Sequence, residues 1–195
     1  MAKEKLVEFL QRAGFINASQ ASDIAESFTH RMLHKSDFLL HADSVSDAYL
    51  FLDSGLLRAF VYDTEGNEVT TGFYSGGQIA FEASSFFNRT PSQQYMQALT
   101  ECSGWLVTHQ QFNALFHARP EFREFGRSVL VRTLASMQER MLDQIRETAT
   151  ARYEKLMKAS PEVLQYAPLK HIASYLGVTD TSLSRIRGSA KEAHY

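Results

Sequence analysis

Cysteine is almost absent from this chain. The single cysteine, Cys102, cannot form an internal disulfide, and one thiolate cannot hold a zinc ion or an iron–sulfur cluster. A disulfide scaffold and an iron–sulfur oxygen sensor are therefore excluded, and a cytoplasmic location is expected. No hydrophobic run approaches the roughly 20 residues that a membrane-spanning helix needs, so no membrane association is expected. With 44% hydrophobic and 22% charged residues, the chain has the composition of a globular protein.

A recognisable catalytic set is also absent. No nucleophile, general base and orienting group stand out together, so no enzyme is predicted. His30 and His34 lie four residues apart in a segment predicted to be helical, a spacing that can hold a metal. Because no third ligand belongs to that pattern, surface or packing histidines are expected and no metal is predicted. Cys102 lies near Gly104 and Trp105, where a small buried side chain is expected rather than a reactive thiol.

The net charge of -2 hides an uneven distribution along the chain. Beyond residue 150 there are seven basic and four acidic residues, a net charge of +3, whereas the first 150 residues carry 13 basic and 18 acidic residues, a net charge of -5. Positive charge is therefore concentrated in the C-terminal part, as in many proteins that bind nucleic acid.

The hydrophobic pattern changes along the chain. Residues 1–35 are predicted to be helical, and residues 38–107 to form a β domain of short strands separated by turns. The segments 53–55 and 63–67 have the length of hairpin turns, with Gly55 and Gly66 available for positive φ. The predicted strands are Tyr49–Leu52, Leu56–Tyr62, Glu68–Tyr74, Tyr95–Leu99 and Gly104–Thr108.

A long helix is predicted after Pro120. Glu121–Lys158 contains no proline and only one glycine, Gly126, and Thr148–Thr150 is a candidate hinge. A narrow apolar stripe along this helix is typical of a coiled-coil seam and predicts a parallel homodimer. The alternative is a helix that packs only within its own chain, because the repeat is short. The predicted dimer interface is Leu130, Leu134, Met137, Met141 and Ile145.

The stretch Leu169–Arg187 (LKHIASYLGVTDTSLSRIR) has the pattern of two short helices joined at Gly177. Polar residues of the second helix face away from an apolar seam, which is the arrangement of a DNA-binding helix-turn-helix. Helix pairs with a glycine turn also occur in proteins that do not contact DNA. The seam residues are Ile172, Ala173, Leu176, Val178, Leu183 and Ile186.

The order of these elements along the chain resembles that of the Crp/Fnr family of transcription regulators. A β domain comes first, a long helix follows, and a helix-turn-helix is last. The local anchors of this resemblance are the segments 61–69, 76–78, 150–152 and 172–186. The resemblance implies an α+β fold with an N-terminal cyclic-nucleotide-binding-like β-roll sensor (1–118), a long dimerisation helix (119–149) and a small C-terminal helix-turn-helix domain (150–195). It also implies that duplex DNA with a near-palindromic operator, RNA polymerase and a small-molecule effector are partners.

The family's phosphate cassette has a Gly-Glu pair at a helix start and, about ten residues later, an Arg-Ser or Arg-Thr pair. The matching segment here keeps Glu82 but has Phe81 in place of the glycine. The Arg-Ser pair falls on Ser92 and Gln93, and the nearest arginine is Arg89. Without the guanidinium the phosphate loses its main counter-charge.

Two helix positions that face the purine in cyclic-AMP-responsive relatives correspond to Met137 and Gln138. Tight cyclic AMP binding is therefore not expected, and no cofactor is predicted. Two alternatives stay open: Glu82 only begins a helix, and Arg89 turns inward to replace the missing arginine. The candidate effector-pocket residues are Gly77, Phe81, Glu82, Arg89, Ser92, Gln93, Met137 and Gln138.

The second helix of the motif is the candidate recognition helix, with Thr179 as its cap. Thr181, Ser182 and Arg185 are expected nearest the base edges, where Arg185 matches guanine O6 and N7. The alternative for Arg185 is a surface ion pair. Asp180 departs from relatives that carry a basic residue there, which implies a different preferred DNA sequence. Phosphate contacts are assigned to Lys170, Arg187 and Lys191.

Two functions therefore compete, and a third, a small-molecule enzyme or binding protein, would require a set of polar residues in the β-domain pocket that the sequence does not indicate. One is a homodimeric, sequence-specific regulator whose β domain senses a ligand other than cyclic AMP, or none. The other is a cyclic-nucleotide-binding-like module that acts through protein interaction without binding DNA. Salt-sensitive binding to duplex DNA distinguishes them.

Overall fold

The computed structural model describes residues 3–192, with side chains up to residue 188. Helices α1 (Glu4–Gln11) and α2 (Ala18–Ala25) open the fold. In α1, Leu6 and Leu10 lie one turn apart and are both buried. In α2, Asn17 and Gln20 form a reciprocal capping box that satisfies two backbone amides at the helix start. Both helices pack against the first of two β-sheets.

Each sheet has four strands, and every pairing is antiparallel. In spatial order, the first sheet contains β1 (Thr29–Leu33), β8 (Cys102–Thr108), β3 (Ala48–Ser54) and β6 (Gln78–Ala80). The second contains β2 (Phe38–Leu40), β7 (Tyr95–Ala98), β4 (Leu56–Tyr62) and β5 (Glu68–Ser75). Leu52, Leu57 and Met96 belong to the buried core that the two sheets share. Cys102 is buried in the same core, as predicted, and burial raises the pKa of its thiol.

The two predicted turns differ in what they connect. Residues 63–67 close the β4–β5 hairpin as predicted: the Asp63 carboxylate accepts from the amides of Glu65 and Asn67 at 2.9 and 2.8 Å, and Gly66 has φ +83°. The turn at 53–55 does not close a hairpin, because β3 pairs in the first sheet and β4 in the second. Gly55 has φ +100°, and a Cβ there would lie 2.5 Å from the Glu101 carbonyl oxygen.

Helices α3 (Ala83–Asn88), α4 (His109–Ala118) and α5 (Pro120–Arg146) complete the β domain. Pro120 occupies the first turn of α5, where its missing N–H costs no hydrogen bond. Phe122 and Phe125, in the first turns of α5, are buried with Phe112 of α4 against the first sheet. Of the residues of α5, only Phe122, Phe125 and Gly126 are buried.

The predicted single helix over residues 121–158 is wrong. Helix α5 ends at Arg146, Glu147 and Thr148 are extended, and α6 (Ala149–Ala159) begins after them. Thr148 Oγ1 accepts from the Ala151 amide at 3.2 Å and so caps the new helix. The break therefore lies at the start of the predicted hinge, at a threonine rather than at a glycine or proline.

Helices α7 (Pro161–Tyr166), α8 (Leu169–Leu176) and α9 (Asp180–Glu192) follow α6. These C-terminal helices share one apolar cluster, which includes Tyr153, Val163, Ile172 and Leu183. Leu56 of β4 is fully buried in the same cluster. The C-terminal helices are therefore packed onto the second sheet and share an apolar core with it.

The prediction that residues 1–35 are helical is also wrong in part, because β1 covers residues 29–33. Only Leu33 of β1 is buried, so this edge strand lacks the alternation that identifies a half-buried strand. The three-residue strands β2 and β6 were not predicted because they are too short to show periodicity. His30 lies in β1 and bonds to Ser103 at 2.9 Å, so the supposed helical pair of histidines does not exist.

Among the described residues, no group of three or more histidine, cysteine, aspartate or glutamate side chains is placed to hold a metal ion. No helix in residues 3–192 is both long and apolar enough to cross a membrane.

Candidate DNA-binding and effector sites

The turn between α8 and α9 requires glycine. Gly177 has φ +69°, in the left-handed region, and ends α8. The Val178 amide then donates to the Ala173 carbonyl at 3.0 Å, which satisfies one of the last carbonyls of the helix. A Cβ on Gly177 would lie 3.2 Å from the Gln144 Oε1 atom of α5. The turn therefore lies directly against the long helix.

Four of the six predicted seam residues of the helix pair are buried, and Val178 and Ile186 are half-buried. Ile172, Ala173, Leu176 and Leu183 are at most 3% exposed. Burial of this face forces the opposite face of α9 toward solvent. The Ser182 amide donates to Thr179 Oγ1 at 3.2 Å, so Thr179 caps α9 as predicted.

Most of the predicted base-reading side chains are accessible. Thr181 and Arg185 are exposed on the outer face of α9, whereas Ser182 is half-buried and bonds to the Thr179 hydroxyl at 3.0 Å. Ser182 is therefore part of the helix cap as well as a candidate DNA contact. Ser184, which the sequence analysis did not assign, is exposed on the same helix.

The candidate phosphate contacts lie at the edges of this face. Lys170 is exposed in the first turn of α8, and Arg187 is half-buried in α9. The side chain of Lys191 lies outside the described residues. Asp180 is exposed in the first turn of α9, where the positive end of the helix dipole favours a carboxylate.

Glu82 caps α3 instead of leaving its amides open. Its carboxylate accepts from the amides of Ser84 at 3.2 Å and Ser85 at 2.6 Å. Phe81 is 7% exposed, and its ring lies 5.0 Å from that of Tyr49 and 6.2 Å from that of Phe86. The helix start that the resemblance assigns to a phosphate is thus occupied by a carboxylate and bordered by packed aromatic rings.

Arg89 and Ser92 are held by the protein itself. Arg89 has φ +56° at the end of α3; its Nη1 donates to the Ser46 carbonyl at 2.6 Å and its Nη2 to the Asp47 carboxylate at 3.2 Å. Ser92 is buried, and its hydroxyl both donates to the Gln94 carbonyl and accepts from the Gln94 amide at 3.0 Å. Arg89 is therefore turned toward the loop before β3.

The other predicted pocket residues lie apart from the α3 helix start. Gly77 lines a cavity of about 470 Å³ between α1, the β5–β6 region and α5, and Phe81, Glu82 and Ser92 are not among its lining residues. Gln93, Met137 and Gln138 are exposed, the latter two on α5. The structure therefore does not bring the eight predicted effector residues together in one cavity.

The apolar stripe of α5 is exposed in the single chain. Leu134 is 68% exposed, Met141 58% and Ile145 75%, values that are unusual for large apolar side chains. Leu130 and Met137 continue the stripe at 40% and 60% exposure. This helix face has no partner within the described part of the chain.

The β domain is similar to one known domain family. The family model of the cyclic nucleotide-binding domain matches residues 30–119. Among curated proteins, none matches this sequence significantly.

Several solved structures share the fold of most of the chain. FixK2 from Bradyrhizobium japonicum is 16% identical with a TM-score of 0.74, over 86% of each chain. The c-di-GMP responsive global regulator CLP of Xanthomonas campestris is 12% identical with a TM-score of 0.69, over 91% of this chain and 93% of that one. The catabolite activator protein of Thermus thermophilus is 16% identical with a TM-score of 0.58, over 95% and 88%. The predicted resemblance in fold to Crp/Fnr regulators is confirmed.

The β domain contacts the C-terminal helices through a buried arginine that sequence reasoning missed. Arg58 of β4 is fully buried; its Nε donates to Thr70 Oγ1 at 2.8 Å and its Nη1 to the Glu68 carboxylate at 2.6 Å. The same Nη1 lies 3.3 Å from Nε2 of His171 in α8. The Ser174 hydroxyl of α8 donates to Thr70 Oγ1 at 2.9 Å. We call these five residues the interdomain network.

The charges of this network are strongly coupled. Burial, followed by the Arg58 cation, lowers the pKa of His171 to about 4. Burial works against ionisation of Glu68, yet the hydrogen bond and charge of Arg58 keep the pKa of that carboxyl below its usual value. His171 is therefore a neutral acceptor and Glu68 a carboxylate near pH 7. An arginine inside the apolar strand LLRAFVY was the available signal, but it did not identify its partners.

Proposed function

We propose that this chain is a homodimeric, sequence-specific DNA-binding transcription regulator of the Crp/Fnr type. In this proposal residues 1–118 form the sensor, 119–149 the dimerisation helix and 150–195 the DNA-binding domain. Duplex DNA with a near-palindromic operator is the principal partner, RNA polymerase a further one, and an effector other than tightly bound cyclic AMP acts on the sensor. No catalytic activity is included.

One observation carries the DNA-binding part of the proposal: α9 presents a polar face to solvent. The buried seam and the Thr179 cap hold α9, and Thr181 and Arg185 are exposed on it. A helix held in this way fits the major groove, where an arginine can donate to guanine O6 and N7. Two copies in a symmetric dimer would read half-sites roughly 34 Å apart.

The exposed stripe of α5 supports the homodimer. A Leu134→Glu variant should be monomeric, because a dimer would have to bury the new carboxylate in the apolar seam. Sedimentation velocity of this variant tests the idea, with Ala135→Glu as the control because Ala135 is an exposed neighbour outside the stripe. A wild-type monomer, or a dimer that tolerates Leu134→Glu, contradicts the dimer interface.

The contacts of Glu82 and Arg89 support the expectation that cyclic AMP does not bind tightly. Glu82 already occupies the amides of α3, and Arg89 is paired with Asp47. A phosphate placed there would have to displace a carboxylate without gaining a charge-assisted partner. Calorimetric titration with cyclic AMP and cyclic GMP up to millimolar concentrations should show no micromolar binding. Micromolar binding would mean that Arg89 or another donor has turned inward.

DNA binding itself is tested by selecting bound duplexes from a random pool and measuring affinity by fluorescence anisotropy. The enriched sequence should be a near-palindrome, and affinity should fall steeply with salt as phosphate contacts release counterions. Arg185→Gln should weaken specific binding by about 1 to 3 kcal/mol, whereas Arg31→Gln, an exposed arginine on β1, should not. If neither specific nor salt-sensitive binding occurs, the chain is the protein-interaction module instead.

A further inference from the structure

A cavity of about 530 Å³ lies in the crease where α5 meets the C-terminal helices. Arg140 and Asp143 line it from α5, Lys155 and Lys158 from α6, and Tyr175 from α8. Its volume is within the range of small-molecule sites. Because α5 extends from the β domain and α8 belongs to the helix-turn-helix, a molecule bound here would touch both functional parts of the chain.

Positive charge exceeds negative charge in this cavity. Four cations and two carboxylates line it. Lys155 is neutralised by Asp143, whose carboxylate lies 2.7 Å from Nζ. The other three cations are Arg140, Arg152 and Lys158, and no carboxylate of the described residues forms an ion pair with any of them within 4.0 Å. With Glu139 as the second carboxylate, the lining carries a net charge of +2.

The two arginines are oriented by neutral groups. Arg140 donates to the Thr71 carbonyl, and its guanidinium carbon lies 4.2 Å from the centre of the Tyr175 ring. Arg152 donates to two backbone carbonyls, at 2.7 and 2.9 Å. Carbonyl oxygens satisfy N–H donors but leave the net charge, so both guanidinium groups are positioned and still attract an anion.

The turn of the helix-turn-helix lies at the wall of this cavity. Gln144, a lining residue, is the side chain that a Cβ on Gly177 would meet at 3.2 Å. Leu156, Tyr175 and Leu176 add an apolar side to the cavity. Among the described residues, no member of α9 lines it. The cations of this cavity therefore belong to α5 and α6, not to the helix proposed to enter DNA.

We propose that this cavity is an effector site for a phosphorylated small molecule. Arg140, Arg152 and Lys158 hold its phosphate or pyrophosphate oxygens, and the apolar side accepts the rest of the molecule. Occupancy draws α6 and α8 toward α5 and so changes how the helix-turn-helix is presented. The regulatory role rests on the proposed DNA-binding function, whereas binding to the cavity does not.

Calorimetry of the full chain with sodium pyrophosphate at constant ionic strength tests the site. Saturable binding with a Kd below about 1 mM is expected. The double variant Arg140→Gln with Lys158→Gln should weaken it at least about tenfold, the effect of losing a charge-assisted hydrogen bond. The matched control is Arg31→Gln with Lys35→Gln, which removes two exposed cations elsewhere and should leave the Kd unchanged.

The single variant Lys158→Gln is a control for misfolding of the double variant. Lys158 has no ion pair among the described residues, so its replacement should not destabilise the fold. This variant should keep the wild-type melting temperature and still weaken pyrophosphate binding. Absence of saturable binding, or equal weakening in the control pair, overturns the site. Equal displacement of pyrophosphate by the selected duplex and by an unrelated duplex also overturns it, since the cations would then be DNA-backbone contacts.

Anisotropy with the selected duplex separates this proposal from the proposed function. DNA binding without pyrophosphate binding would support the proposed regulator and contradict the proposed effector site. Pyrophosphate binding without DNA binding would support the binding site and contradict the proposed regulator. If both occur, pyrophosphate should change DNA affinity in the wild type and not in the double variant.

Discussion

Acidification is expected to weaken the packing of α8 against the β domain through His171. The neutral ring accepts from Arg58 Nη1, and the two atoms lie 3.3 Å apart. A protonated ring would place a second cation beside a fully buried guanidinium. Burial and that guanidinium lower the pKa of His171 to about 4.

The size of the effect follows from the difference between the folded and unfolded states. An unfolded histidine has a pKa near 6.5, so the unfolded chain takes up the proton first as pH falls. The stability due to the neutral ring is complete above about pH 6.5 and is lost as pH falls toward 4. The loss amounts to about 2 kcal/mol at pH 5 and about 3 kcal/mol below pH 4. A domain is stable by only about 5 to 15 kcal/mol in total.

Urea unfolding of the wild type and of His171→Gln at pH 7 and pH 5 measures this loss. Glutamine keeps an acceptor for Arg58 and does not titrate. Glu68, Lys170 and Asp180 also face the ring, but they are common to both proteins and cancel in the comparison. The wild type should lose about 2 kcal/mol more than the variant between these pH values. Equal losses, or an NMR titration of His171 with a pKa near 6.5, would refute the reasoning.

Three further predictions concern the anchors of the fold. Gly177→Ala should cost about 1 to 2 kcal/mol in urea unfolding because its φ is +69°, and it should cost more than Gly14→Ala, which has φ +76° but open space around it. Thr179→Ala should cost about 1 kcal/mol and lower the helix content by circular dichroism, because the Ser182 amide loses its acceptor; an unchanged spectrum and midpoint contradict the cap. Phe122→Ala should cost about 3 to 5 kcal/mol, because the ring is fully buried where α5 begins; a loss under 1 kcal/mol contradicts that anchoring role.

Sequence patterns predicted those parts of the fold that depend on interactions between residues close in sequence. The strand Leu56–Tyr62 has the predicted bounds, and four of the six seam residues of the helix pair are buried. Thr179 and Gly66 adopt the predicted cap and turn because the necessary groups are close in sequence. The edge strand β1 was missed because only Leu33 is buried there.

Long-range contacts could not be predicted in the same way. Arg58 and His171 are separated by 113 positions, so no local period connects them. The orientation of Arg89 depends on Asp47, which lies in another loop. The end of α5 carries no glycine or proline, and only the capping bond of Thr148 marks where α6 begins. These features arise from tertiary packing, which a single sequence does not display.

The burial of Leu56 among the C-terminal helices has a consequence for protein engineering. Leu56 is a β4 residue, yet it is fully buried with Leu156 and Ile172. A fragment that ends with α5 would lack the C-terminal helices that bury Leu56 and would therefore expose an apolar surface patch. A chimaera that joins the β domain to a foreign helix-turn-helix must therefore bring a matching apolar surface. The two halves are not interchangeable modules, and their interface must be transplanted together with them.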